Sequence, residues 1–244
     1  MCHSDDSRPP SAPDAGSAAS TRDLTLTSAD GTSVLAYEAR AAEPTGAGIV
    51  VLPDVRGLHQ FYKDLAVRFA EVGVDAIAID YFGRTAETPD RTEAFEFMPH
   101  VQQTTPQGVA ADVAADVAAA VAQLRSDGAT KVFTVGFCFG GGYSWRQSAD
   151  TPGLAGCIGF YGRPQPALEV ADRMQAPLLM LVAGADANIP VEDTRAVKDA
   201  AGVEADFVVF EGAPHSFFDR TAAEHAEAAD EAWTRVRRFL LDHG

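Results

Sequence analysis

The chain has 244 residues, 46% hydrophobic and 22% charged, with a net charge of −16 and three cysteines. That make-up is too apolar for disorder and too poor in cysteine for a disulfide scaffold. It also lacks the run of about 18 apolar residues that a transmembrane helix needs. So acidic a surface repels phosphate backbones, and neither nucleic acid nor a membrane is an expected partner.

Residues 1–21, rich in Ser, Pro, Ala and Asp, read as a flexible N-terminal tail, and residues 22–244 as a single α/β domain. The opening has no apolar core of a secretory signal, and the sparse cysteines suit a reducing, cytoplasmic setting. Cys2 and His3 adjoin in the tail, but no second Cys or His pair stands at ligand spacing, so no metal is expected. Two alternating runs within 23–40 flank Asp30-Gly31 and predict a β-hairpin. Residues 48–53 are a continuous apolar run, as expected of a strand buried on both faces. Leu65, Phe69 and Val72 recur at helical spacing over 61–73, and 74–80 is a second buried strand. Residues 82–106 show no period and read as a long functional loop. An alanine-rich helix follows within 108–128. Strands are predicted at 131–137, 156–162, 177–184 and 205–212, and helices at 140–149, 191–201 and 221–242. In the last, Ala229, Trp233, Val236 and Leu240 share one face.

Strands alternating with helices imply a mostly parallel sheet covered on both sides, edged by the N-terminal antiparallel hairpin. Ligands of such sheets bind beyond the carboxyl ends of the strands. There the strongest signal is Gly136-Phe137-Cys138-Phe139-Gly140, the G-x-C-x-G form of a nucleophile elbow between a strand and a helix. Small residues are needed where strand and helix cross, and the helix amino end favours a thiolate. The same five residues also suit a tight turn around an inert cysteine. Asp186 follows the strand at 177–184, and His215 the one at 205–212. The order nucleophile, acid, base is that of α/β-hydrolases. Cys138 is the candidate nucleophile and His215 the base; Asp186 would orient the imidazole. Taken singly, Asp186 is equally a helix cap and His215 a loop histidine; together, in order, they point to acyl transfer. The N–H groups of Phe139 and Val55 are the candidate oxyanion donors.

These blocks resemble the dienelactone hydrolase family of the α/β-hydrolase superfamily. The resemblance runs from about residue 23 to the end. It rests on residues 52–84 (LPDVRGLHQFYKDLAVRFAEVGVDAIAIDYFGR), 136–142 (GFCFGGG), 159–162 (GFYG), 183–190 (AGADANIP) and 212–220 (GAPHSFFDR). It implies an α/β-hydrolase fold and a cofactor-free, usually monomeric, carboxymethylenebutenolidase-like enzyme. Such an enzyme opens lactones or cleaves esters with a Cys-His-Asp triad, through a thioester. It also implies a thiol-activating acid at Asp54, where the family usually has the longer glutamate, and arginines near Arg84 and Arg220 that hold a substrate carboxylate. His59, Tyr81 and Tyr161 would border the pocket, and His100 its entrance. Cys157 reads as a small buried hydrophobe, and His225 and His243 as solvated helix residues. Two rivals remain: a non-catalytic binding or sensing protein on the same scaffold, and a nucleotide-binding protein. The second is disfavoured, because GFCFGGG fits no phosphate-loop spacing.

Overall fold

The structure is a computed structural model that describes residues 4–86, 88–104, 109–219 and 222–244. Its strands are β1 (Ala18–Thr27), β2 (Ser33–Ala41), β3 (Ala47–Leu52), β4 (Asp75–Ile79), β5 (Lys131–Phe137), β6 (Gly156–Phe160), β7 (Leu178–Ala183) and β8 (Ala205–Phe210). They form one sheet in the order β1-β2-β4-β3-β5-β6-β7-β8. The β1–β2 and β2–β4 pairs are antiparallel, and every other pair is parallel. The helices are α1 (Gln60–Glu71), α2 (Phe97–Thr104), α3 (Val109–Ser126), α4 (Phe139–Asp150), α5 (Gln165–Leu168), α6 (Val191–Ala200) and α7 (Ala226–His243).

Alternation along the strands explains the layers. In β3, Ile49 and Val51 join one apolar cluster with Leu65 and Phe69 of α1 and Trp233 and Val236 of α7. Val50 and Leu52 point the other way, against Val117 and Val121 of α3 and Trp145 of α4. A strand covered on both faces has no polar position to alternate, which is why its sequence is apolar throughout.

Three segments depart from the sequence expectations. The stretch 82–106 contains α2, whose Pro99 lies in the first turn, where a helix needs no N–H. That helix is tied down by side chains of the segment just before it: the His100 ring stacks at 5.0 Å on Phe95, which the Arg91 guanidinium covers at 4.4 Å. The last helix begins at Ala226 rather than 221, because Phe217, Phe218 and Ala222 before it are already buried in the core. The tail expectation also meets structure. Residues 18–21 belong to β1, and residues 4–17 touch the body at several points. Ala12 is buried, Trp233 Nε1 donates to the Pro10 carbonyl at 3.0 Å, and Arg237 to that of Pro13 at 2.6 Å. These partners lie more than 200 positions away, so no local pattern announces them.

Candidate active site

Six parallel strands direct their carboxyl ends to one edge of the sheet, and the sequence-predicted residues gather along that edge. Cys138 joins β5 to α4 at φ 53°, a left-handed conformation that non-glycine residues rarely adopt and that costs about 1–3 kcal/mol. Its N–H donates to the Phe160 carbonyl at 3.1 Å, and its side chain is half-buried. The flanking glycines make this turn. A Cβ on Gly136 would lie 1.9 Å from the Gly140 carbonyl oxygen, and one on Gly140 2.2 Å from that of Leu52. Strand, helix and the end of β3 thus meet backbone to backbone.

Asp186 and His215, just past β7 and β8, are joined. His215 Nδ1 lies 2.6 Å from Asp186 Oδ2. Asp186 Oδ1 accepts the N–H groups of Asn188 at 2.8 Å and Ile189 at 3.1 Å. Burial disfavours the Asp186 carboxylate, but these bonds, His215 first, outweigh it and hold the group below its ordinary pKa of 3.8. An ionised Asp186 makes Nδ1 the protonated nitrogen and leaves Nε2 with the lone pair of a base. A carboxyl whose folded-state pKa is depressed stabilises the fold above its ordinary value, and that contribution is lost as pH falls through the lower folded value. Asp186→Asn protein is therefore expected to be less stable than wild type at pH 5. Chemical denaturation at intervals from pH 5 to pH 2 should show the gap closing, chiefly below pH 3.8; a gap that widens toward acid contradicts the assignment.

The loop after β3 carries Asp54 and Val55. Asp54 is buried, and its Oδ1 accepts the Arg56 N–H at 2.9 Å, so the carboxylate organises its own turn. The N–H groups of Val55 and Phe139 have no hydrogen-bond acceptor among the described residues, as oxyanion donors require. A buried strut not anticipated from sequence holds this loop. Asp80 Oδ1 accepts from Leu58 N–H at 3.3 Å and from Phe82 N–H at 3.2 Å, while its Oδ2 takes Arg91 Nη2 at 2.7 Å. Gly57, at φ 74°, passes so close that a Cβ there would sit 2.5 Å from Asp80 Oδ1. Asp80 directly follows β4 inside the IDYFGR block, and that position just past a strand was the signal available.

Tyr81 borders the same place. Its hydroxyl donates to the Pro53 carbonyl at 3.1 Å and its ring meets Phe139 at 5.2 Å. Burial, with Asp54, Tyr143, Asp80 and Cys138 nearby, holds that hydroxyl well above its usual pKa, so it stays protonated. Tyr161, at the end of β6, packs its ring 4.9 Å from that of His215.

Two expected contributors are otherwise occupied. Arg84 Nη2 reaches Asp116 Oδ1 at 2.5 Å, and its Nη1 reaches Asp30 Oδ2 at 2.6 Å and Thr32 Oγ1 at 3.1 Å. Its guanidinium bonds α3 and the β1–β2 turn, and these carboxylates, Asp116 foremost, raise its pKa. The expected substrate-carboxylate contact is replaced by this ion-pair set, since an acidic chain offers internal carboxylates at short range. His59 likewise spends both ring nitrogens on the fold. Nδ1 accepts the Phe61 N–H at 3.0 Å, capping α1, and Nε2 lies 2.8 Å from Asp5 Oδ1. Cys157 is fully buried and its thiol is pushed up to about 12 by desolvation, as suits an inert core residue. Arg220, Cys2 and His3 lie outside the described residues. Among the described residues, no cluster of three or more His, Cys, Asp or Glu could hold a metal, and no helix is long and apolar enough to cross a membrane.

A mostly parallel eight-stranded sheet, an elbow after β5 and an Asp–His pair after β7 and β8 define an α/β-hydrolase fold. Solved structures agree: the Pyrococcus furiosus esterase Pf2001 superposes with a TM-score of 0.69 over 92% of this chain and 93% of its own, at 15% identity. The family profile described as "Dienelactone hydrolase family" matches residues 34–244, and the chain belongs to that family. It is 31% identical to a "Putative carboxymethylenebutenolidase" of Methylorubrum extorquens, over 86% of this chain and 77% of the relative. A protein of the same printed name from Yersinia pestis is 28% identical over 86% and 84% of the two chains. The crystal structure of a "Putative Dienelactone Hydrolase" of Klebsiella pneumoniae superposes with a TM-score of 0.77 at 28% identity, covering 91% of this chain and 98% of that one.

Proposed function

We propose that the protein hydrolyses a lactone or carboxylic ester through Cys138, His215 and Asp186, by way of a thioester. The observation that carries this reading is the 2.6 Å bond from His215 Nδ1 to Asp186, which suits Nε2 to the part of base, at the same edge of the sheet as the elbow that carries Cys138. His215 takes the thiol proton as Sγ attacks the carbonyl carbon, and the oxyanion is held by the Val55 and Phe139 N–H groups. Collapse breaks the carbon–oxygen bond, and His215 returns its proton to the leaving oxygen, which for a lactone stays within the same molecule. Water then gives a proton to His215 and attacks the thioester. The thiolate departs, regains its proton, and the acid product is released.

Family membership and the names of the relatives support an ester or lactone substrate. The engagement of Arg84 supports a substrate whose recognition does not run through that residue. Both cysteines within the described residues are free, which suits the reducing setting of the cytoplasm. The test is turnover of a panel of enol-lactones and short-chain aryl esters, each with and without a free carboxylate. Turnover of at least one class that is lost in Cys138→Ala supports the reading; a panel with no turnover leaves the binding-protein alternative in its place.

A further inference from the structure

Four described non-glycine residues have positive φ: Asp14, Cys138, Tyr161 and Ser216. Three of them stand at the candidate site, and the mechanism above uses only Cys138. Tyr161 holds φ 38° at the end of β6, where its N–H donates to the Leu181 carbonyl at 2.8 Å. Strain of this kind persists only where the surroundings enforce it. Here they do: the ring packs against those of His215, at 4.9 Å, and Phe217, at 5.5 Å. The buried hydroxyl reaches over the loop to donate to Asp219 Oδ2 at 3.0 Å. The loop closes on itself as well, since Asp219 N–H donates to the Ser216 carbonyl at 3.2 Å, with Ser216 at φ 64°. Asp219 and Ser216 are each 2% exposed.

We infer that Tyr161 and Asp219 act as a positioning pair. Tyr161 supplies the wall against which the His215 ring is set, and its bond to Asp219 locks the 215–219 loop to the end of β6. Neither group exchanges a proton with substrate. The inference rests on the reading of His215 as the base.

The test uses Tyr161→Phe, Asp219→Ala, Asp219→Asn and the double variant Tyr161→Phe/Asp219→Ala, in full-length protein checked for an unchanged melting transition. Tyr161→Phe is expected to lower kcat about tenfold with KM within about twofold, because a misaligned base slows chemistry more than binding. Asp219→Ala should match it, Asp219→Asn should stay near wild type because its amide oxygen still accepts, and the double variant should be no worse than either single. A wild-type kcat in Tyr161→Phe, losses that multiply in the double variant, or an Asp219→Asn as poor as Asp219→Ala overturns the inference. A second readout needs no substrate: the His215 ring resonances in the NMR spectrum of the free protein should move in Tyr161→Phe and hold in Asp219→Asn. If Cys138→Ala keeps turnover, the triad reading fails, and these resonances still decide whether the pair positions the ring.

Discussion

Cys138→Ala is expected to lower kcat/KM for any ester or lactone the protein turns over by about ten-thousand-fold or more, the usual size of a triad knockout. The melting temperature should stay within a few degrees, because Cys138 is half-buried and alanine occupies less space at the same backbone position. The size of the effect follows from the division of labour at the strand ends. In the proposed mechanism the Asp186–His215 pair and the two backbone donors act on a nucleophile that the elbow presents, and no other residue from Gly136 to Gly140 carries a nucleophilic side chain. Cys157, the other described cysteine, is sealed inside β6 with its thiol pushed up to about 12, so it offers no substitute thiolate. Steady-state kinetics on the wild type and the variant, with calorimetry for the fold, measure both halves. Activity retained within tenfold contradicts the assignment of Cys138.

Gly140→Ala is expected to destabilise the protein by at least about 3 kcal/mol, the upper range for forcing one methyl into a filled space. For a chain of this length that lowers Tm by roughly 6–12 °C. Its Cβ would lie 2.2 Å from the Leu52 carbonyl oxygen and 2.4 Å from that of Pro53, and neither backbone atom can turn away as a side chain would. The only relief is to move α4 off the end of β3. That shift carries Phe139 away from Val55 and would pull the two proposed oxyanion donors apart, so kcat should fall as well. Gly202→Ala is the control, since a Cβ there meets nothing within 4 Å. Equal melting temperatures for the two variants, read by scanning calorimetry, contradict the picture of a backbone-to-backbone elbow.

How much of this was legible depends on whether the determining contacts are local. The sheet was readable because Ile49, Val50, Val51 and Leu52 must all be buried, and only a strand covered on both sides can do that. The elbow was readable because a sharp strand-to-helix turn leaves no room for side chains at Gly136 and Gly140. Asp186 and His215 were readable from their order and their places after strands. Arg84 was not: the sequence shows a cation near the expected site, but its choice of Asp116 and Asp30 is made between segments that meet only in the fold. Asp219 was hidden for the same reason, since its donor Tyr161 lies 58 positions away. The grip of the early segment on the body, through Asp5 on His59 and Pro10 on Trp233, likewise pairs distant residues with no local period to betray them.

The most direct measurement is a rapid-quench burst with an aryl ester whose acyl group leaves the enzyme slowly, followed by peptide mass spectrometry. The expected result is about one equivalent of aryl alcohol released per enzyme, with the acyl mass carried as a thioester on the peptide containing Cys138. An equal burst from Cys138→Ala protein, or the acyl group found on any other residue, contradicts the account.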